Sequence, residues 1–240
     1  MPIVTMLPEN ASNKAEIWES DNTAVATVNK YGNITAIGEG GCTVTVKSGD
    51  SPEVSAVFKV TVNAPIKIEM TYREGILIVN KSYPLPSNYN PGVNSEAKAA
   101  LDQMFAAAKA EQNLDMWVCS GFRSYNVQKN LYNSYVRRDG VKNADRYSAR
   151  PGYSEHQTGL AFDINYADSR FTGTPQAIWL AENAYKYGFI LRYPEGKEHI
   201  TGYMYEPWHY RYIGVENAAK IYSSGLTLEE YFGLTSVYSE

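Results

Sequence analysis

The chain has 240 residues, 44% hydrophobic and 20% charged, which is the composition of a soluble globular protein of one or two domains. Its formal net charge of −4 gives no electrostatic basis for binding nucleic acid or an anionic membrane surface. Cys42 and Cys119 are the only two cysteines, too few for a disulfide framework or zinc-finger spacing, so any bound metal must rely on histidine and carboxylate. No apolar run reaches the roughly eighteen residues of a membrane span, and no transmembrane segment is expected.

From the N-terminus to about residue 63 the chain alternates short apolar runs with turn residues, as in AVATVNKYGNITAIGEGGCTVTVKSGD and SAVFKVTVNAP. Val25, Val28, Ile34, Ile37, Val44 and Val46 recur at strand-like intervals, and Tyr31-Gly32-Asn33 and Gly38 to Gly41 supply turns. The pattern predicts an all-β sandwich leaving through Asn63-Ala64-Pro65, and a first domain over residues 1–65. The steps Trp-x-Ser, Ala-x-Val, Gly-x-Ile-x-Ala and Gly-x-x-Thr-Val resemble bacterial Ig-like domains of group 2. That resemblance implies a spacer or adhesion module with no chemistry of its own. It also implies that the family's first strand is missing, so that the sequence starts inside the domain.

Residues 66–240 change to mixed α and β. Asn94-Ser95 cap a helix expected over 95–112, with Ala100, Leu101, Met104, Phe105 and Ala108 on one face. MWVCS (116–120) reads as a short buried strand, with Cys119 a small buried hydrophobe. Ser124 caps a second helix ending at Gly140, with Val127, Leu131 and Tyr135 inward. Thr174-Pro175 start a third helix that stops at Gly188; the strand FILRY and a helix over 214–223 follow.

The chain has three histidines, His156, His199 and His209. In SEHQTGLAFDI (154–164), a strand over Leu160 to Ile164 sends Leu160, Phe162 and Ile164 to one face and Ala161 and Asp163 to the other. Thr158 and Gly159 allow a bend that returns His156 beside Asp163. Alone, this stretch reads more readily as an ordinary strand carrying two polar residues than as half of a metal site. In EPWHYRYI, Glu206 precedes His209 by three positions, but Pro207 argues against a helix. The two act together only if a turn or bulge at Pro207-Trp208 re-aims one of them. In SGFRSYNVQKNLY, Arg123 precedes a helix N-terminus, where a guanidinium can receive a carboxylate or a developing oxyanion. Two imidazoles and a carboxylate leaving a fourth position open match the pattern of catalytic zinc, and Glu206 fits a general base. His199 lies in a polar loop and is expected at the rim. Trp208 and Tyr210 are either core residues or cleft walls.

With these residues in place, ILIVNKSYPLPSNYNPG, SGFRSYNVQKNLYNSYV, PGYSEHQTGLAFDI and EPWHYRYIG together resemble the VanY-type D-alanyl-D-alanine carboxypeptidases, zinc peptidases of bacterial cell-wall peptides. The resemblance implies an α+β domain over 66–240 whose central antiparallel sheet holds one Zn2+ through His156, Asp163 and His209. It further implies Glu206 as catalytic base and Arg123 as the substrate and transition-state arginine, with Ser154 and Gln128 in the cleft. The expected protein is a monomeric, extracytoplasmic, cell-surface or wall-associated enzyme. It would remove a terminal D-alanine from peptidoglycan stem peptides with D,D or L,D specificity, set by the loops 140–153 and 194–205. Relatives that act as endopeptidases, and a non-catalytic wall-binding protein, are the alternatives. An iron oxygenase also uses two histidines and a carboxylate, but it needs no glutamate at position 206 and favours an all-β scaffold.

Overall fold

A computed structural model describes residues 3–64 and 67–239. The chain divides into two compact units, Met1–Lys67 and Ile68–Glu240. The 65/66 boundary expected from sequence, with Pro65 as the exit, lies outside the described residues.

The first unit contains β1 (Glu16–Ser20), β2 (Ala26–Val28), β3 (Ile34–Ala36), β4 (Gly40–Ser48) and β5 (Ser55–Val62). β1, β4 and β5 form one antiparallel sheet in that order, and β2 pairs with β3 in a second. Alternation along β4 turns Cys42, Val44 and Val46 inward. Val25, Ala26 and Cys42 form a small core with Ile34, Val60 and Val62, drawn from both sheets. Trp18 lies so close over Gly32 that a Cβ there would fall 2.7 Å from its ring, and Gly32 has φ +74. Only glycine meets both conditions. The unit has the all-β architecture of two sheets that its turn spacing predicts.

The second unit begins with the hairpin β6 (Thr71–Arg73) and β7 (Ile76–Ile78). It continues through α1 (Ser95–Gln112), β8 (Val118–Ser120), α2 (Tyr125–Asp139), α3 (Val141–Ala144), β9 (Ala161–Ile164) and α4 (Pro175–Asn183). It closes with β10 (Phe189–Leu191), α5 (Glu198–Thr201), β11 (His209–Tyr212), α6 (Val215–Ser224) and α7 (Leu228–Phe232). The central sheet has the order β10-β11-β9-β8, antiparallel throughout. Asn94 caps α1 by accepting the Ala97 N–H at 2.9 Å, and Ala97, Leu101, Met104 and Ala108 make its buried face. That face packs with Phe162 and Ile164 of β9, Phe189 of β10, and Tyr210 and Tyr212 of β11. Since strand side chains alternate, one sheet face becomes core and the other receives Asp163, His209 and Arg211.

Two expectations fail, each for a physical reason. α2 does not bury Val127, which is exposed; its fully buried residues are Gln128 and Tyr132. This face packs through hydrogen bonds, with Gln128 Nε2 donating to the Ala149 carbonyl (2.7 Å) and Tyr132 OH to Asp145 (2.7 Å). An apolar periodicity cannot register such a face. Cys119 is exposed rather than buried, because β8 is the edge strand of the sheet.

Candidate metal centre and active site

The register of the central strands assembles the site. His209 stands directly opposite Asp163 across the β11–β9 pair. Both leave the non-core face, which places their side chains side by side. His156 arrives from a 3₁₀ turn over Glu155–Thr158, ended by Gly159 at φ +72. The bend expected at Gly159 is present and tightly enforced. A Cβ there would lie 2.0 Å from the Gly92 carbonyl oxygen, and the Gly159 carbonyl accepts the N–H of Asn94, the cap of α1. Replacing Gly159 with Ala is expected to destabilise the catalytic unit by about 3 kcal/mol or more, through left-handed strain plus a backbone collision. Urea denaturation checks this.

Hydrogen bonding fixes which nitrogen of each imidazole faces the centre. His156 donates its Nδ1–H to the Gly121 carbonyl at 2.7 Å, because a carbonyl can only accept. Its Nε2 is then a lone pair, buried and without a hydrogen-bond partner, although Asp163 Oδ2 lies 3.1 Å away. His209 directs Nδ1 at Asp163 Oδ1 (3.0 Å) and Nε2 at Glu155 Oε2 (3.1 Å). Ligand atoms of His156, Asp163 and His209 all lie within 4.8 Å of one another, and all three residues are buried. Two buried acceptors facing each other call for a cation between them. An N,N,O donor set of this kind suits zinc.

The charges show the same tension. Burial would raise the Asp163 carboxyl, but the adjacent His156 and His209 imidazoles hold it well below the usual carboxylate range. Burial and the nearby Arg123 guanidinium lower His156. His209 is pushed up to about 9: burial alone would lower it, but its bonds to Asp163 and Glu155 prevail. Burial pushes Glu206 up to about 8 against the pull of His209.

Glu206 reaches the site through the turn that Pro207 requires. The N–H of His209 donates to the Glu206 carbonyl at 3.1 Å, closing a turn over Pro207-Trp208 that brings Glu206 Oε2 to 3.8 Å from His209 Nδ1. The carboxylate thus lies beside the three-residue cluster and outside it. Arg123 enters just before α2, its N–H bonded to the His156 carbonyl at 3.1 Å. Its Nε is buried without a partner, and among the described residues no carboxylate pairs with its guanidinium. An unpaired cation in a cleft is prepared for an anionic ligand.

One cavity of about 500 Å³ is lined by Arg123, Ser154, His156, Asp163, Glu206 and His209. The Ser154 side chain is buried and makes no hydrogen bond among the described residues. Tyr147, Ser148 and Ala149 from one loop, and Tyr203 and Met204 from another, add to the wall, as expected for 140–153 and 194–205. Lys81 ties these walls together by donating to the carbonyls of Asp145 (2.7 Å) and Gly202. Gln128 is set apart from this group. It does not line the cavity, and its amide instead holds Ser148 and Ala149, so the structure gives it a place behind the wall rather than in direct contact with a ligand. Trp208 lines the cavity and also packs on the core, whereas Tyr210 is core alone. His199 is exposed on α5, away from the cluster.

Sequence reasoning missed Glu155, Arg192, Arg211 and Glu229, which are buried together next to His209. The signal was present: an arginine interrupts each of the otherwise apolar strand segments FILRY and HYRYI. A buried guanidinium demands buried carboxylates.

Residues 90–215 match the D-alanyl-D-alanine carboxypeptidase family VanY, and residues 3–58 match the bacterial Ig-like domain, group 2. The chain is 44% identical over 185 residues to the putative carboxypeptidase YodJ of Bacillus subtilis, covering 66% of this chain and 67% of that one. It spans about two thirds of the length of the curated relatives it matches. The LdcB LD-carboxypeptidase structure is 50% identical with a TM-score of 0.62, covering 68% of this chain and 89% of that one. A vancomycin-resistance D,D-pentapeptidase VanY structure in complex with Zn(II) is 39% identical with a TM-score of 0.57, covering 65% of this chain and 97% of that one. With the match exceeding half its length, the chain belongs to the VanY family of D-alanyl-D-alanine carboxypeptidases, its catalytic domain preceded by an Ig-like domain.

Proposed function

We propose that the protein is a zinc-dependent carboxypeptidase that removes the terminal D-alanine from peptidoglycan stem peptides. His156, Asp163 and His209 are the metal ligands, Glu206 the catalytic base and Arg123 the cation for the substrate's negative charge. One observation carries this reading: three converging lone-pair donors, a separate carboxylate and an unpaired guanidinium line a single cavity. Bound zinc supplies Lewis-acid polarisation of a carbonyl and brings the pKa of water to about 7. Glu206, poised by burial to take up and release a proton, accepts one from the attacking water and delivers it to the departing amine of D-alanine. Arg123 receives the terminal carboxylate or the oxyanion that develops at the scissile carbonyl. Ser154 offers its hydroxyl to the peptide backbone, and Gln128 holds the Ser148–Ala149 wall in place.

The relationship to the LD-carboxypeptidase, at 50% identity against 39% for the D,D-pentapeptidase, favours the tetrapeptide stem as substrate. Incubation with purified tetrapeptide and pentapeptide muropeptides, with products read by mass, tests this. Loss of one alanine from the tetrapeptide is expected. Loss from the pentapeptide alone reassigns the enzyme as D,D-specific, and a cut inside the stem makes it an endopeptidase. Such a substrate places the protein outside the cytoplasmic membrane, at the cell surface or wall. No helix among the described residues is long and apolar enough to cross a membrane.

Zinc binding at pH 7 is expected to release about one proton, because His209, held up at about 9, must surrender Nδ1–H to become a ligand. Affinity then rises with pH up to that value and falls below it, by about tenfold per pH unit. Calorimetry in buffers of different ionisation enthalpy measures the proton count.

A further inference from the structure

Four charged side chains are buried behind His209. Arg192 and Arg211 have side chains with 0% exposure, and Glu155 and Glu229 have 1% and 0%. Glu155 Oε1 accepts from Arg192 Nε at 2.8 Å and from Arg211 Nη1 at 3.0 Å. Glu229 takes the other edge of Arg192 at 2.8 and 2.5 Å, and also the amide of Asn80 at 2.8 Å. The Leu77 carbonyl accepts from Arg211 Nη2 at 2.7 Å. Two guanidiniums are thereby balanced by two carboxylates, and Glu155 Oε2 remains for one further bond. It lies 3.1 Å from His209 Nε2.

This arrangement decides the form of His209. Oε1 already accepts from two buried guanidiniums, which makes Glu155 a carboxylate, so Oε2 is an acceptor only. His209 Nε2 must therefore carry a proton, and Nδ1 is the nitrogen available to a cation. His156 has the opposite arrangement, with Nδ1–H on the Gly121 carbonyl and Nε2 free. The two rings stand edge to face, 5.0 Å apart at 89°, and aim different nitrogens towards Asp163.

We propose that Glu155 is the positioning residue of the metal centre, locking His209 as an Nδ1 ligand through a hydrogen bond that two buried arginines orient. The assignment rests on the zinc-site reading above. A competing role is charge balance alone, with Glu155 serving Arg192 and Arg211 and His209 merely adjacent. Glu155→Gln separates the two. The amide oxygen is drawn to the guanidiniums, which turns the amide NH2 towards His209 Nε2 and drives the ring proton onto Nδ1. Glu229→Gln removes the same charge from the same network without touching His209.

Zinc affinity, measured by chelator competition, is expected to fall 10–100-fold in Glu155→Gln and by a much smaller factor in Glu229→Gln. Equal losses in the two variants, or unchanged affinity in Glu155→Gln, overturn the proposal. Should Glu155→Gln fail to fold, the wild-type protein still decides. Long-range 1H–15N correlation of the zinc-loaded protein is expected to show the His209 proton on Nε2 and the His156 proton on Nδ1. A His209 proton on Nδ1, or ligation through Nε2, overturns it. Wild-type protein that binds no zinc removes the metal-centre reading itself, a result distinct from zinc binding that is indifferent to Glu155.

Discussion

Glu206→Gln is expected to lower kcat on a D-alanine-terminated peptide by about 10²–10⁴-fold while leaving zinc bound. The substitution keeps the size and most of the shape of the side chain and removes only its capacity to take and return a proton. Glu206 Oε2 stands 3.8 Å from His209 Nδ1, beside the ligand cluster rather than in it, so the metal does not depend on it. The fold should tolerate the change as well, because a buried carboxyl whose pKa is pushed up to about 8 gains nothing from ionisation. Zinc content and steady-state kinetics on the same preparation separate these effects. Unchanged turnover would falsify the role of Glu206 as base.

His156→Ala is expected to act differently, removing metal and activity together. It deletes a lone pair that no other group in the cluster can replace, as well as the 2.7 Å bond to the Gly121 carbonyl that ties the 3₁₀ turn to the 121–123 loop. The affinity loss should exceed about 100-fold, the upper range for removing an outer partner of a ligand. Emptying a fully buried ring position also costs about 3 kcal/mol of stability. Elemental analysis and urea denaturation read the two losses separately. A metal-free variant with full activity contradicts the ligand assignment.

The contrast between these variants reflects what the sequence can carry. Local rules placed a strand at 160–164, observed at 161–164, and allowed the bend at Gly159 and the turn at Pro207, because alternation, left-handed backbone and proline geometry each operate over a few residues. The convergence of Asp163 and His209 needed one further fact, the antiparallel register of β9 with β11; the resemblance implied a central antiparallel sheet holding the metal, and spacing alone implied neither. α2 misled because its inward side chains, Gln128 and Tyr132, are polar and donate to groups 13 to 21 residues downstream. Cys119 misled because strand position within the sheet, centre or edge, is a property of the whole topology. The Glu155–Arg192–Glu229 network joins residues separated by 37 positions at each step, a range at which no periodicity operates.

The Ig-like unit stands by its own core of Val25, Ala26 and Cys42 and contributes no residue to the cluster of His156, Asp163 and His209. The proposed ligands His156, Asp163 and His209 all belong to the second unit.

In the proposed function, three ligands, one base and one arginine form a zinc site that releases D-alanine. The most direct measurement is D-alanine release from a tetrapeptide muropeptide by chelator-treated protein as zinc is returned in small steps. Activity should be absent after chelation and return in proportion to zinc, reaching its plateau at one ion per chain. Release that persists in the stripped protein, or a fully loaded protein that releases no D-alanine, would contradict the account.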